Sequence, residues 1–207
     1  MASPEGYFEK IKEICDKHDI LFIADEVQSG FGRTGKMLAI EDWDVEPDIM
    51  VMAKGLADGF PLSAFIARDE IADSFKPGDH LSTFGGNPIS CAAGLANIEF
   101  LEKNNLSKQA AEKGTYLMDK LNALAQKHSI IGDVRGKGLM VGTELVEDRS
   151  TKEPSSSGGS IQAKCLEAGI LMGVGGIYGN ILRIQPPLVI EKEELDTVVD
   201  CLDGVLP

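Results

Sequence analysis

Little in this chain could ligate a metal or cross-link the fold. Its four cysteines, Cys15, Cys91, Cys165 and Cys201, lie far apart with no CxxC pair, and its three histidines, His18, His80 and His128, have no partner at ligand spacing. Buried free thiols and solvated or capping histidines are therefore expected, with no metal. Long apolar runs are equally scarce. None approaches the roughly 20 residues of a membrane helix, and the opening MASPEGYFEKIKEIC has neither the basic nor the apolar region of a secretory signal, so a cytoplasmic location is expected. Basic side chains are outnumbered, 20 Lys and Arg against 33 Asp and Glu, for a net charge of −13. Nucleic acid and anionic membrane would be repelled by most of such a surface, which leaves a small molecule or a protein as partner. There is no internal repeat, and no biased tract beyond SSSGG at 155–159, a flexible surface loop by composition.

What is present is an α/β pattern long enough, at 207 residues and 43% hydrophobic, for one large or two small domains. Helix-spaced apolar residues at Tyr7, Ile11, Ile14 and Cys15 precede a strand over Leu21 to Ala24. IMVMA (49–53) and LSAFIA (62–67) read as two more strands. Pro88 suits the first turn of a helix whose apolar face would be Ile89, Ala92, Ala93, Leu95, Ala96 and Ile98. A second helix follows on Leu106, Ala110, Leu117, Leu121 and Leu124. After VRGKG (134–138) come a strand at LMVGTELV, a helix over Ile161 to Ala168, a strand at NILRIQPPLVI and an amphipathic helix from Glu191 to Leu206. Residues 129–207 thus read as a small α+β domain behind a larger one at 1–128.

Chemistry concentrates in LFIADEVQSGFGRTG (21–35). An apolar strand ending in Asp25 and Glu26 presents acids at the carboxyl edge of a sheet, where open α/β sheets bind ligands. Lys54 directly follows the next apolar run, so adjacent parallel strands would bring an amine to the same edge. Small apolar neighbours in MAKGLA would desolvate that amine and favour its nucleophilic form. A structural ion pair or a solvated strand-end lysine fits the same spacing. An acid that can keep a heteroaromatic nitrogen protonated and a lysine that can form an imine are, however, the two groups a pyridoxal phosphate enzyme needs. Glu26 is expected to support the following loop, and Arg33 to pair with a carboxylate or order that loop. GVGG at 173–176 lacks GxGxxG spacing and leads into a strand, against a dinucleotide site.

The stretches LFIADEVQSGFGRTGK, EPDIMVMAKGLADGFPLSAFIAR, HLSTFGGNPISCAAG, VRGKGLMVGTEL and LRIQPPLVI together resemble the class III, or ω-amino acid type, aminotransferases of pyridoxal phosphate fold type I. The likeness runs over essentially the whole chain. It implies the later part of the large cofactor-binding domain, a mostly parallel sheet with flanking helices, plus a small C-terminal α+β domain. It further implies that Asp25 binds the pyridine nitrogen of pyridoxal 5'-phosphate, Val27 packs on the ring and Gln28 bonds the 3-hydroxyl. Lys54 would form the imine with the cofactor and then move the proton between substrate and cofactor carbons. Thr83 would reach the phosphate of a partner protomer across a homodimer with shared sites; as a helix cap it is outdone by Asn87. Arg183 would clamp a substrate carboxylate, where without the likeness it reads as a surface strand residue. The implied reaction is ping-pong transfer of an amino group from an amine or ω-amino acid to a 2-oxo acid. HLSTFGGNP and GNILRIQPPL sit nearer alanine–glyoxylate, pyruvate-type and 4-aminobutyrate members than acetylornithine ones.

Members of that family are about twice this long, and the resemblance places the missing part before residue 1, making this chain a C-terminal half. A fragment of this kind is expected to be weakly stable or to associate, and to retain cofactor poorly. Two alternatives stand beside transamination. One is a related lyase or decarboxylase, with Gln28 counting against an aminomutase; the other is a catalytically inert association module.

Overall fold

In the computed structural model, which describes residues 3–207, Gly6 in a left-handed conformation (φ 73°) opens helix α1 (Tyr7–Lys17). The helix ends where His18 and Asp19 (φ 55°) turn the chain, and Phe8 anchors it with rings 6.1 Å from Phe22 and 4.7 Å, edge-on, from Trp43. Strands β1 (Ile23–Asp25), β2 (Ile49–Met52) and β3 (Ala64–Ala67) form a sheet in that order, β1 parallel to β2 and β3 antiparallel to it. Buried Asp48 ties its components together. Its Oδ2 accepts the Phe22 N–H at 2.6 Å, and Oδ1 pairs with Arg68 at 2.9 Å and Lys12 at 3.6 Å. The Phe22 N–H first, then those two cations, hold its carboxyl below the usual range against the opposing effect of burial. A short helix α2 (Asp69–Ala72) follows, then α3 (Pro88–Lys103), capped by Asn87, whose Oδ1 accepts the Ser90 N–H at 2.9 Å, with Pro88 at the first helical position.

Two compact units result, Ser3–Lys108 and Gln109–Pro207. The apolar stripe of helix α4 (Leu106–Lys127) contributes Leu117, Leu121 and Leu124 to the core of the second unit. That unit continues with β4 (Ile131–Lys137), β5 (Met140–Asp148), β6 (Glu153–Pro154), α5 (Gly158–Glu167), β7 (Gly173–Gly175), β8 (Ile181–Ile184) and α6 (Lys192–Val205). Its sheet is antiparallel throughout, ordered β4-β5-β8-β7 with β6 beside β5. Alternation holds in β5 up to Leu145, after which Val146 is buried as well. Val141, Thr143 and Leu145 of β5 and Leu182 and Ile184 of β8 are buried with Ile161 and Cys165 of α5 and Leu195 and Leu202 of α6. Each such fully buried aliphatic side chain contributes about 1.5–3 kcal/mol of transfer free energy.

Three sequence expectations change. No strand is expected ahead of LMVGTELV, yet residues 134–137 of VRGKG belong to β4, whose hydrogen bonds to β5 need no apolar side chains. The strand at NILRIQPPLVI stops at Ile184, since Pro186 and Pro187 have no N–H for the ladder. The buried side of α3 holds Ser90, Gly94 and Leu101, while Ile89 and Leu95 are 71% and 65% exposed. All four cysteines are free, Cys165 buried and the others half-buried. Among the described residues no helix is long and apolar enough to cross a membrane, and no cluster of His, Cys, Asp or Glu suits a metal.

Candidate active site

The parallel pairing of β1 and β2 sets Asp25 opposite Val51, and the ladder extends one bond further, Glu26 N–H to Val51 O at 2.9 Å. Both chains then leave the sheet at its carboxyl edge. On β1 the exit carries Asp25, Glu26, half-buried Val27 and exposed Gln28; on β2 it carries Lys54, at the head of a single 3-10 turn (Lys54–Leu56). Asp25 Oδ1 accepts the Val27 N–H at 3.0 Å, which fixes the carboxylate, and Oδ2 has no partner among the described residues. Lys54 takes φ 43°, a left-handed conformation that costs a non-glycine residue about 1 kcal/mol or more and concentrates at functional sites. Its amine has no hydrogen-bond or ion-pair partner among the described residues. The expected desolvation is not found. Lys54 is exposed, because Ala53 and Gly55 beside it are too small to cover a side chain leaving the sheet edge.

What holds this edge is mostly out of sight of the motif. Glu26, 2% exposed, accepts the Ile40 N–H at 2.8 Å and the Ser29 hydroxyl at 2.5 Å, and so fastens the loop after β1, as its position suggested. Asn97 of α3 donates through Nδ2 to Gly55 O at 2.7 Å and thereby holds the lysine turn. A methyl on Gly55 would come within 3.2 Å of Phe31 Cβ, and one on Gly94 of α3 within 3.0 Å of Leu62 Cδ2 and 3.4 Å of Leu56 O. Gly94 therefore lets the helix approach the lysine turn, and Gly55 lets that turn approach Phe31. Burial lowers the Arg33 guanidinium from its ordinary value, opposed by the charge of Asp58 just beyond the lysine turn. Sequence reasoning missed Asn97. Its only trace is the spacing of Ser90, Gly94, Asn97 and Leu101, which places it on the buried side of α3.

Asp25, Val27, Gln28 and Lys54 are thus brought to one sheet edge. Thr83 stands in the same unit on the exposed loop before α3, where Gly85 N–H donates to Ser82 Oγ at 2.9 Å and Asn87 Nδ2 to Phe84 O at 3.0 Å. Asn87 takes the cap, and Thr83 has no partner among the described residues. Arg183 belongs to the second unit, on the face of β8 opposite the core, with Nη2 donating to Gln185 Oε1 at 2.7 Å.

These donors fit pyridoxal phosphate. A carboxylate fixed by one oxygen has the other for a pyridinium N–H, and an exposed amine without an acceptor is available to an aldehyde. The chain matches the family model described as aminotransferase class-III over residues 1–206. It is 48% identical to the leucine/methionine racemase of Thermococcus litoralis over all of its length and 46% of the relative's. It is 46% identical to the acetylornithine aminotransferase of Caldanaerobacter subterraneus subsp. tengcongensis, over 99% of this chain and 49% of that one. Among solved structures, a Bacillus anthracis aminotransferase superposes with a TM-score of 0.95 at 42% identity, covering 99% of this chain and 48% of the other. An amine transaminase from an uncultivated Pseudomonas species, in a pyridoxal phosphate-bound form, superposes at 0.90 with 36% identity, over 99% and 48%. The chain spans about half the length of the relatives it matches.

Proposed function

We propose, from the premise that this chain belongs to the class III aminotransferases, a pyridoxal phosphate-dependent family, that it carries the lysine, the ring-nitrogen acid and the carboxylate-binding arginine of a transaminase. The enzyme would pass an amino group from an amine or ω-amino acid to a 2-oxo acid such as pyruvate, glyoxylate or 2-oxoglutarate. The observation that supports this most is the parallel β1–β2 pairing, which delivers Asp25 and Lys54 to one edge. Pyridoxal phosphate, when bound, supplies the electron sink that acidifies the substrate carbon bearing nitrogen.

Asp25 keeps the ring nitrogen protonated through its uncommitted oxygen, Val27 packs on the ring and Gln28 bonds the 3-hydroxyl. Lys54 anchors the cofactor, then moves the proton from the substrate carbon, and its exposure just past the end of β2 leaves the amine accessible for this. Arg183 pairs with the substrate carboxylate through its planar guanidinium. Thr83 serves the phosphate site of a second protomer in a homodimer. Exposure of Leu81, Ile89 and, at 81%, Phe84 around that loop supports an assembly that covers them. Residues 1–128 act as part of the cofactor domain and 129–207 as the small domain, and free thiols suit a reducing cytoplasm.

Incubation with pyridoxal phosphate, borohydride reduction and peptide mass analysis test this assignment. Modification is expected to concentrate at Lys54 and to vanish in Lys54→Ala. An adduct spread over surface lysines with no preference for Lys54 would overturn it. The 48% identity to a racemase supports one other outcome from the same residues, return of the proton to the opposite face of the carbon. Chiral chromatography of an amino acid incubated with and without a 2-oxo acid separates the two.

A further inference from the structure

Arg183 lies on a track cleared of side chains. Across the sheet its register neighbours are Gly142 on β5 and Gly173 on β7, and the next residue of β7 on that face is Gly175. The three glycines do different things. A methyl on Gly173 would sit 3.6 Å from Arg183 Cβ, an ordinary contact, and one on Gly142 would meet Ile181 Cγ2 at 3.1 Å. A methyl on Gly175 would lie 2.7 Å from Arg183 Cδ, 3.6 Å from Cγ and 3.8 Å from Nε. The stem of Arg183 therefore crosses β7 diagonally over the bare α-carbon of Gly175, and Gln185 Oε1 receives the guanidinium at 2.7 Å.

Backbone conformation does not explain this glycine. Gly176 and Gly179, in the turn that follows, have φ of 83° and 65°, whereas Gly175 is not among the positive-φ glycines. A strand glycine of ordinary conformation weakens the sheet relative to alanine, so its presence calls for a neighbour that needs the space. We propose that Gly175 is a positioning residue for substrate carboxylate recognition, its missing side chain allowing Arg183 to lie flat across β7 with the guanidinium held at one place. The proposal rests on Arg183 being the carboxylate clamp. Because Cδ belongs to a flexible side chain, Gly175→Ala is expected to spare the fold and displace the guanidinium.

The test is carried out on the full 207-residue chain as wild type, Gly175→Ala and Arg183→Lys, following the Arg183 Nε–H signal by NMR during titration with 2-oxoglutarate, with thermal melts alongside. In the wild type an NOE between Arg183 Hδ and Gly175 Hα is expected, with a titration shift at Arg183. Arg183→Lys should weaken binding on the order of tenfold or more, as loss of a charge-assisted bidentate contact does. Gly175→Ala should move the Arg183 signal and weaken binding severalfold at an unchanged or higher melting temperature. Absence of the NOE in the wild type overturns the proposal whether or not the variant folds. So does Gly175→Ala binding like wild type while Arg183→Lys is weakened. Wild-type affinity in Arg183→Lys overturns instead the clamp on which the proposal rests.

Discussion

Removing the Glu26 side chain should cost the first unit a large part of its stability without touching either residue assigned to chemistry. The carboxylate accepts two hydrogen bonds, from the buried Ile40 N–H at 2.8 Å and from Ser29 at 2.5 Å. A hydrogen bond to a charged group contributes about 1.5–3 kcal/mol net, and truncation leaves the Ile40 N–H buried without an acceptor. With roughly 1 kcal/mol more for the part-buried Ser29 contact, Glu26→Ala should lose about 3–4 kcal/mol, against total domain stabilities of about 5–15 kcal/mol. Glu26→Gln keeps an oxygen for Ile40 and asks only that Ser29 turn its hydroxyl, so about 1 kcal/mol is expected. The single tryptophan, Trp43, closes the same 3-10 turn (Ala39–Trp43) in which Ile40 lies and packs edge-on to Phe8. Its fluorescence in urea therefore reports the unit in question. With m-values of about 1–3 kcal/mol/M, the Ala midpoint should fall by roughly 1–3 M and the Gln midpoint by less than half as much. A Glu26→Ala protein within about 0.5 kcal/mol of wild type, or a Gln variant as damaged as the Ala one, would refute this assignment of the stability to hydrogen-bond geometry.

Two further outcomes concern the second unit. His128 Nδ1 faces Pro207 O at 2.9 Å and Nε2 faces Asp203 Oδ1 at 2.7 Å, so both nitrogens donate and the imidazolium is favoured. Pro207 first and Asp203 second raise its pKa above the usual value of 6.5, against burial and the nearby Lys127. Since the folded value lies above the unfolded one, the stabilisation is complete below about pH 6.5 and is lost as pH rises through the folded value. Melting temperatures of wild type should thus fall over that interval more than those of His128→Asn, and parallel curves would refute it. In α4, a methyl on Gly114 would lie 2.1 Å from Gly138 O and 2.3 Å from its carbonyl carbon. Gly114→Ala, favourable by about 1 kcal/mol as a helix substitution, should instead cost about 3 kcal/mol and lower the circular dichroism midpoint by roughly 10–20 °C. An alanine variant as stable as wild type would show that the helix can move aside.

Which parts of this molecule were legible in the sequence depends on whether the deciding contact is local. The placing of Asp25 and Lys54 at one sheet edge was legible because a charge placed directly after an apolar run needs no knowledge of the partner strand, only of the direction in which the strand ends. The stripe of Leu117, Leu121 and Leu124 and the alternation of Val141, Thr143 and Leu145 were legible for the same reason, each being a period visible in a single window. Strand β4 was not, since Gly132, Asp133, Arg135, Gly136 and Lys137 leave it with almost no apolar signal and its pairing with β5 is made by backbone. The exposure of Lys54 was missed because small neighbours suggest burial in sequence but expose the amine at a sheet edge. Helix α3 shows the deeper limit. A reading by hydrophobicity assigns Ile89 and Leu95 to the inside, yet what the lysine turn requires from the helix is nearness of backbone and a donor for Gly55 O. Ser90, Gly94 and Asn97 supply both because they are small or polar. Where two backbones touch, the large apolar side chains must face elsewhere, and hydrophobic periodicity then points to the wrong face.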